Sequence, residues 1–200
     1  MRALFVSMAC APLCLMGTSC SLRQPAVVTQ NYALELPSPA AGAPGAKSIS
    51  VLPFSAAPEA SDQMLLYRAD ELRYESDFYN RLLVPPAQML SSELRQWLSK
   101  SKAGQVREPG APLPSDLIVQ PRLTGLYADY RDVQRPRAVV AMDIVLIARD
   151  GSGRRQLFER SYRRAVPMRQ VSPAAAVEGW GLGAGQIFSE FTKDLRRAAP

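Results

Sequence analysis

Histidine is absent from all 200 residues. Its absence excludes imidazole acid–base catalysis, a Ser-His-Asp triad and any histidine-ligated metal. Cysteine is scarce: Cys10, Cys14 and Cys20 are the only three, and all fall in the first twenty positions. The remainder of the chain therefore has neither a disulfide nor a thiolate metal site. No stretch beyond the amino end is apolar enough to read as a membrane span. Dense runs of one charge are missing as well, since Arg154-Arg155 and Arg163-Arg164 are only doublets. Gly151-Ser152-Gly153 is not a nucleophile elbow, which needs glycines two residues either side of the serine. The acidic neighbours Asp70, Glu71, Glu75 and Asp77 read as a solvated surface, with Glu75 and Asp77 on the strand face of Arg73 and Arg81. These observations describe a noncatalytic chain without a metal or a bound cofactor.

What is present begins at the amino end. Arg2 supplies a positive charge, Ala3 to Met16 is almost wholly apolar, and the small Gly17-Thr18-Ser19 precede Cys20. This order is that of a secretory signal, with an apolar run too short for a permanent span. A cysteine directly after the small residues resembles a bacterial lipobox, whose cysteine receives a diacylglycerol and acyl chain and becomes the first mature residue. The sequence departs from that pattern at Gly17, where leucine is usual. The alternative is an ordinary signal cut near Ser19 that leaves Cys20 a free thiol. Lipidation accounts for an odd cysteine in an exported chain, and its acyl chains would hold the protein firmly at a membrane. Ser21 follows Cys20; by enterobacterial sorting rules this favours the outer membrane, with the body facing the periplasm. The expected organisation is a signal over 1–19, a lipidated cysteine and tether over 20–30, and one domain over 31–200.

The net charge of +6 falls to about +5 once Arg2 is removed. An excess of this size suits anionic headgroups or an acidic partner, and nucleic acid is not expected for an exported chain. With 47% hydrophobic residues the body has the means to build a core.

The patterning predicts strands at Asn31–Leu36 and Ser48–Phe54, with a loop over 37–47 between them. A loop over 55–62 precedes a strand at Met64–Arg68 and a turn at Ala69–Glu71. Leu72, Tyr74, Ser76 and Phe78 alternate with polar residues as in a half-buried strand. Pro85-Pro86 opens a helix with the stripe Ala87, Leu90, Leu94, Trp97 and Leu98. Gly104 reads as its end signal, and 105–115 as a loop. Leu117–Tyr130 reads as a strand whose Pro121 and Gly125 mark an edge or a bulge. Arg137–Asp150, apolar on both faces, reads as central and covered. A turn at Asp150–Gly153 returns the chain along 156–166. Ser172-Pro173 starts a last helix with the stripe Val177, Trp180, Ala184, Ile187, Phe188, Phe191 and Leu195. Its Gly179, Gly181, Gly183 and Gly185 are unfavourable inside a helix and indicate a kink or a close backbone approach. Gly179 to Ala184 also matches a dinucleotide fingerprint formally, but it lies within the helix and not at a strand-to-helix turn. The fold class is therefore α+β: a two-layer sandwich with a mixed, mainly antiparallel sheet and two long helices on one face. Tyr127, Tyr130, Phe158 and Tyr162 are the candidate partner- or lipid-contacting residues, as a groove on the sheet or as core.

The chain after Cys20 resembles the ABC-type transport auxiliary lipoprotein component family. The resemblance is carried by Cys20 and its tether, Tyr32-Ala33-Leu34, Ile49 to Phe54, Leu66-Tyr67-Arg68, and Tyr79-Asn80-Arg81 leading to Pro85-Pro86. The closing hairpin and last helix correspond too. The family usually has an Arg-Trp step before the first helix; here Arg81 is followed by Leu82-Leu83-Val84. The resemblance implies an outer-membrane lipoprotein that accompanies Mla-like or Pqi-like lipid transport. Its implied partners are an MCE-domain protein and an ABC permease complex, with a homo-oligomer compatible with a ring-forming partner. Small lipoproteins of this shape also activate peptidoglycan synthases or assemble outer-membrane and lipopolysaccharide machines.

Overall fold

The computed structural model describes residues 28–199, apart from 109 and 152. The signal over 1–19, Cys20 and most of the tether therefore lie outside the described residues. Among the described residues nine strands form one mixed sheet, and two α-helices pack on it, as an α+β chain should. In chain order the strands are β1 (Gln30–Tyr32), β2 (Ser48–Val51), β3 (Ser55–Ala56), β4 (Met64–Arg68) and β5 (Tyr74–Leu82). Helix α1 (Pro86–Lys100) follows, then β6 (Gln105–Arg107), β7 (Leu117–Asp129), β8 (Arg137–Asp150) and β9 (Gly153–Pro167), and last α2 (Pro173–Ala198).

Strand β7 is the spine. One edge pairs antiparallel with β8 along its length, while the other takes β2, β3 and β4 in succession, all parallel. Pro121 falls between the pairings with β2 and β3, so it marks no outer edge; Gly125 does accompany a bulge. Strand β8 is central, between β7 and β9, but its two faces differ. Val140, Met142, Ile144 and Leu146 are buried under the helices, whereas Ala141, Val145 and Ile147 are only half-buried on the other face. The expectation of cover on both faces is thus corrected: both helices share one side. Strand β9 is an edge strand rich in arginine, a composition that discourages edge-to-edge pairing.

Three further expectations are corrected. The first predicted strand stops at Tyr32, and residues 33–37 continue as an extended strap across α2, with Leu34 buried. The alternating strand near 72–79 runs instead from Tyr74 to Leu82 and is not half-buried. Leu72 is 93% exposed and Phe78 72% exposed, and the face that carries Tyr74 and Ser76 is the one turned away from the helices. The two expected loops each contain a short parallel strand, β3 and β6.

The signals that start the helices act as expected. Pro85-Pro86 opens α1. Ser172 Oγ accepts from the N–H of Ala175 at 3.2 Å and caps α2. The glycines of α2 mark close approach. A Cβ on Gly181 would lie 2.1 Å from the Glu35 carbonyl oxygen, and one on Gly185 would lie 2.6 Å from the Pro37 ring. On the sheet side, a Cβ on Gly179 would meet Ala138 Cβ at 2.4 Å. The helix is squeezed between strap and sheet, and only glycine fits. Gly104 serves similarly, since a Cβ there would meet the Lys47 carbonyl oxygen at 2.5 Å. The helix it was expected to end stops earlier, at Lys100.

Gly181→Ala should gain about 1 kcal/mol of helix propensity and lose more by displacing the strap backbone. A net destabilisation of about 1–2 kcal/mol is expected in urea unfolding, against near neutrality for Gly183→Ala. The nearest neighbour in that control is the Val140 Cγ2 methyl at 3.2 Å. A Gly181→Ala protein more stable than wild type would contradict the clamp.

Candidate docking face and a carboxylate-capped bulge

The face of the sheet away from the helices carries the most developed depression. Residues from four strands line a pocket of about 650 Å³, including Met64, Leu66, Tyr74, Ser76, Tyr127 and Arg163, with Glu59 and Asp62 at its side. The bulge between Leu123 and Gly125 resets the alternation of β7. Leu126 and Ala128 stay in the core, and Tyr127 turns to the open face. The Tyr127 ring is buried to 8% exposure. Tyr74 meets it edge-on, with centroids 5.5 Å apart at 86°. Arg163 covers it from β9: its guanidinium carbon stands 5.8 Å from the ring centroid, and Nη2 donates to Tyr127 Oη at 2.8 Å. From the opposite side of the sheet, the Trp180 indole N–H donates to the Tyr127 carbonyl oxygen at 3.0 Å. Helix α2 thus fixes the backbone that presents this ring. Burial is the main cause of an upward shift in the Tyr74 phenol, with the neighbouring Tyr127 adding to it. A shallower pocket of about 310 Å³, lined in part by Leu52, Ile118, Ile147 and Arg154, lies further along the open face. The face is apolar at its floor and carries both signs of charge at its margin, Arg163 on one side and Glu59 with Asp62 on another, suited to docking a partner or an amphiphile.

The four aromatic residues singled out in the sequence do not form one groove. Only Tyr127 faces the open side. Phe158 and Tyr162 pack edge-on against Phe191 of α2, at 6.3 Å and 6.4 Å. The Tyr162 hydroxyl donates to Asp194 Oδ2 at 2.8 Å, and Arg160 pairs with the same carboxylate at 2.5 Å. Their role is in the core. Burial, reinforced by the Asp194 carboxylate, raises the Tyr162 phenol. Tyr130 stacks on Tyr67, with centroids 5.1 Å apart. Among the described residues its buried hydroxyl has no hydrogen-bond partner, and its pKa is pushed up to about 12, chiefly by burial and then by the nearby Asp77 charge.

Asp77 itself is not a solvated surface charge, which corrects that expectation; Glu75 is, paired with Arg73 at 2.8 Å. The Asp77 carboxylate accepts from Tyr67 Oη at 2.7 Å, from Asn80 Nδ2 at 2.8 Å, and from the backbone N–H groups of Tyr79 and Asn80 at 2.9 and 3.0 Å. Burial opposes its ionisation, but these four donors outweigh burial and hold the carboxyl below its ordinary 3.8. The hydrogen bonds fix an irregularity in the hairpin. Leu65 pairs with Asp77 and Met64 with Arg81, so residues 78–80 have no opposite number on β4.

Sequence reasoning missed Arg163 and Asp77. Strand alternation alone splits the doublet: Arg163 opposes Ala141 on the open side, whereas Arg164 pairs with Glu190 of α2. Asp77 carried no comparable signal, because only its place opposite the buried Leu65 of β4 sets its surroundings apart from those of Glu75.

No family model matches the chain, and no curated protein matches it. Solved structures do. Protein XCC0632 from Xanthomonas campestris, described under the family model DUF330, superposes with a TM-score of 0.75 at 17% identity, over 85% of this chain and 96% of that one. An uncharacterized protein gives 0.66 at 16% identity, over 84% and 99%. The hypothetical protein CT253 from Chlamydia trachomatis gives 0.57 at 11%, over 78% and 98%. The chain shares their fold. At these identities the likeness extends to the fold and no further.

Asp77→Asn should destabilise the protein by about 1–3 kcal/mol at pH 7, since an amide cannot accept from all four donors. The native carboxyl is depressed, so its contribution is complete above the unfolded value near 4 and is lost as pH falls through the native one. The gap between wild type and variant, read from urea unfolding, should therefore narrow from pH 7 to pH 3. A gap that is constant or wider at pH 3 would contradict the assignment.

Proposed function

We propose that the protein is a noncatalytic lipoprotein, anchored through Cys20 in the outer membrane and facing the periplasm. In this reading it is an auxiliary subunit of an ABC/MCE-type intermembrane phospholipid transport system that maintains the cell envelope. The observation that carries the proposal is the order Arg2, apolar run, Gly17-Thr18-Ser19, Cys20 at the amino end. The resemblance of the segments after it supports the choice of system. The Tyr127–Arg163 pocket supports docking as the mode of action: a preformed apolar floor with a few charged groups at its margin engages a partner without chemistry of its own. The covalent lipid would fix one end at the membrane, and the open sheet face would hold the MCE-domain protein or its permease.

Cys20→Ala should give a folded protein that leaves the outer-membrane fraction and loses lipid-barrier function. Normal membrane retention in that variant would contradict the anchor. A crosslinking pull-down of the lipidated chain from native membranes should capture an MCE-domain protein or its permease. Capture of a peptidoglycan synthase or an outer-membrane assembly factor would remove the transport assignment.

A further inference from the structure

We propose that the Phe78–Tyr79 bulge is a membrane seat, placing two aromatic rings in the headgroup layer of the phospholipid bilayer that holds the Cys20 lipid. The inference rests on the anchored reading of Cys20 and adds a surface that orients the body on the bilayer. Phe78 is 72% exposed and Tyr79 59% exposed. They are adjacent in a segment that sheet pairing leaves unopposed, and Asp77 fixes that segment through the N–H groups of Tyr79 and Asn80. The rings are therefore held outward by a built device, at the small entropic cost that favours preorganised contacts.

Where the tether joins the body decides the occupant. Strand β1 runs parallel to β5 with Gln30 opposite Asn80, so the chain leading back to Cys20 leaves the body at the bulge. Val28, two residues before that pair, is 78% exposed. Eight residue steps separate Cys20 from Val28, and a fully extended chain spans at most about 3.6 Å per residue, or about 29 Å in all. The bilayer surface therefore cannot lie further than that from Val28. Aromatic side chains partition to the headgroup layer, where an apolar body and a polar tip are both accommodated. Arg81 is exposed beside the bulge, and its Nε donates to Asn31 Oδ1 of β1. Its guanidinium suits a lipid phosphate. Two rings alone would bind a bilayer weakly. Once the lipid anchor confines the body, the effective concentration makes such a weak contact sufficient.

The test uses the full mature chain, purified from membranes, in phosphatidylethanolamine–phosphatidylglycerol vesicles with or without brominated acyl chains. Phe78→Trp reports the bulge. Leu113→Trp, at a residue 63% exposed in the loop before β7, is the control. Trp97 and Trp180 are buried and supply a background that wild type subtracts. Emission from Phe78→Trp should be quenched about twofold or more by the brominated lipid, while the control is nearly unchanged. Mass measurement of the amino-terminal peptide reads the anchor separately. Acylated Cys20 with an unquenched Phe78→Trp would overturn the seat and leave the anchor standing. Unmodified Cys20 with quenching would support the seat and overturn the anchor. Unmodified Cys20 without quenching would overturn both. A Phe78→Trp shift that grows with protein concentration without vesicles, and no quenching with them, would assign the bulge to a second copy and overturn the seat.

Discussion

The close approach of α2 to the strap over 33–37 is the contact on which the rest of the structure depends. A helix interior with glycines at 179, 181, 183 and 185 sacrifices propensity, about 1 kcal/mol for each relative to alanine. What the helix gains is access. The Glu35 carbonyl and the Pro37 ring lie where a side chain would stand, and Ala138 of β8 presses on the opposite side. Trp180, Ile187, Phe188 and Phe191 are then buried almost completely, each contributing about 1.5–3 kcal/mol of burial. The same approach pins the segment that leads back through β1 to the tether. This clamp thus acts on the part of the chain that would bear the membrane anchor.

Helix α2 also reaches through the sheet to the open face. The Trp180 indole holds the Tyr127 carbonyl, and the other side of Tyr127 carries Arg163 and the edge of Tyr74. Packing on the core side therefore sets the geometry of the pocket. The Pro, Ala and Gly residues of the loop over 37–47 extend the clamp. Arg196 of α2 donates to the carbonyls of Ala43 and Ser101, and the N–H of Gly42 donates to Ser101 as well. Strap, both helices and open face form one connected body, in which a docked partner and a tethered terminus would bear on shared supports.

Much of this architecture was legible before any coordinates. The bounds of β4 and β8 followed from their apolar content, the start of α2 from Ser172-Pro173, and the glycine stripe from its conflict with helix propensity. The α+β class followed from the order of elements. What escaped depended on contacts distant in sequence. The alternation in 72–79 promised a buried face, but only the neighbours of a strand decide whether a face is covered, and here the face of Tyr74 and Ser76 is turned away from the helices. The surroundings of Asp77 arise from its place opposite the buried Leu65 of β4, which leaves no periodic trace. The aromatic candidates share a residue type, and alternation across three strands with two bulges was needed to sort them. Tyr127 went to the open face; Tyr130, Phe158 and Tyr162 went to packing. Arg163 was visible as half of a doublet, and only the partner strand shows which half faces the pocket.

The central claim is that the open sheet face, and not the helical one, meets a transport partner. The most direct measurement is photo-crosslinking in native membranes, with one probe at Leu66 in the pocket and another at Leu182, exposed on α2. The account predicts an adduct between the Leu66 probe and an MCE-domain protein or its permease, with none from Leu182. An adduct to such a partner from Leu182 alone, or one from Leu66 to a peptidoglycan synthase or outer-membrane assembly factor, would contradict it.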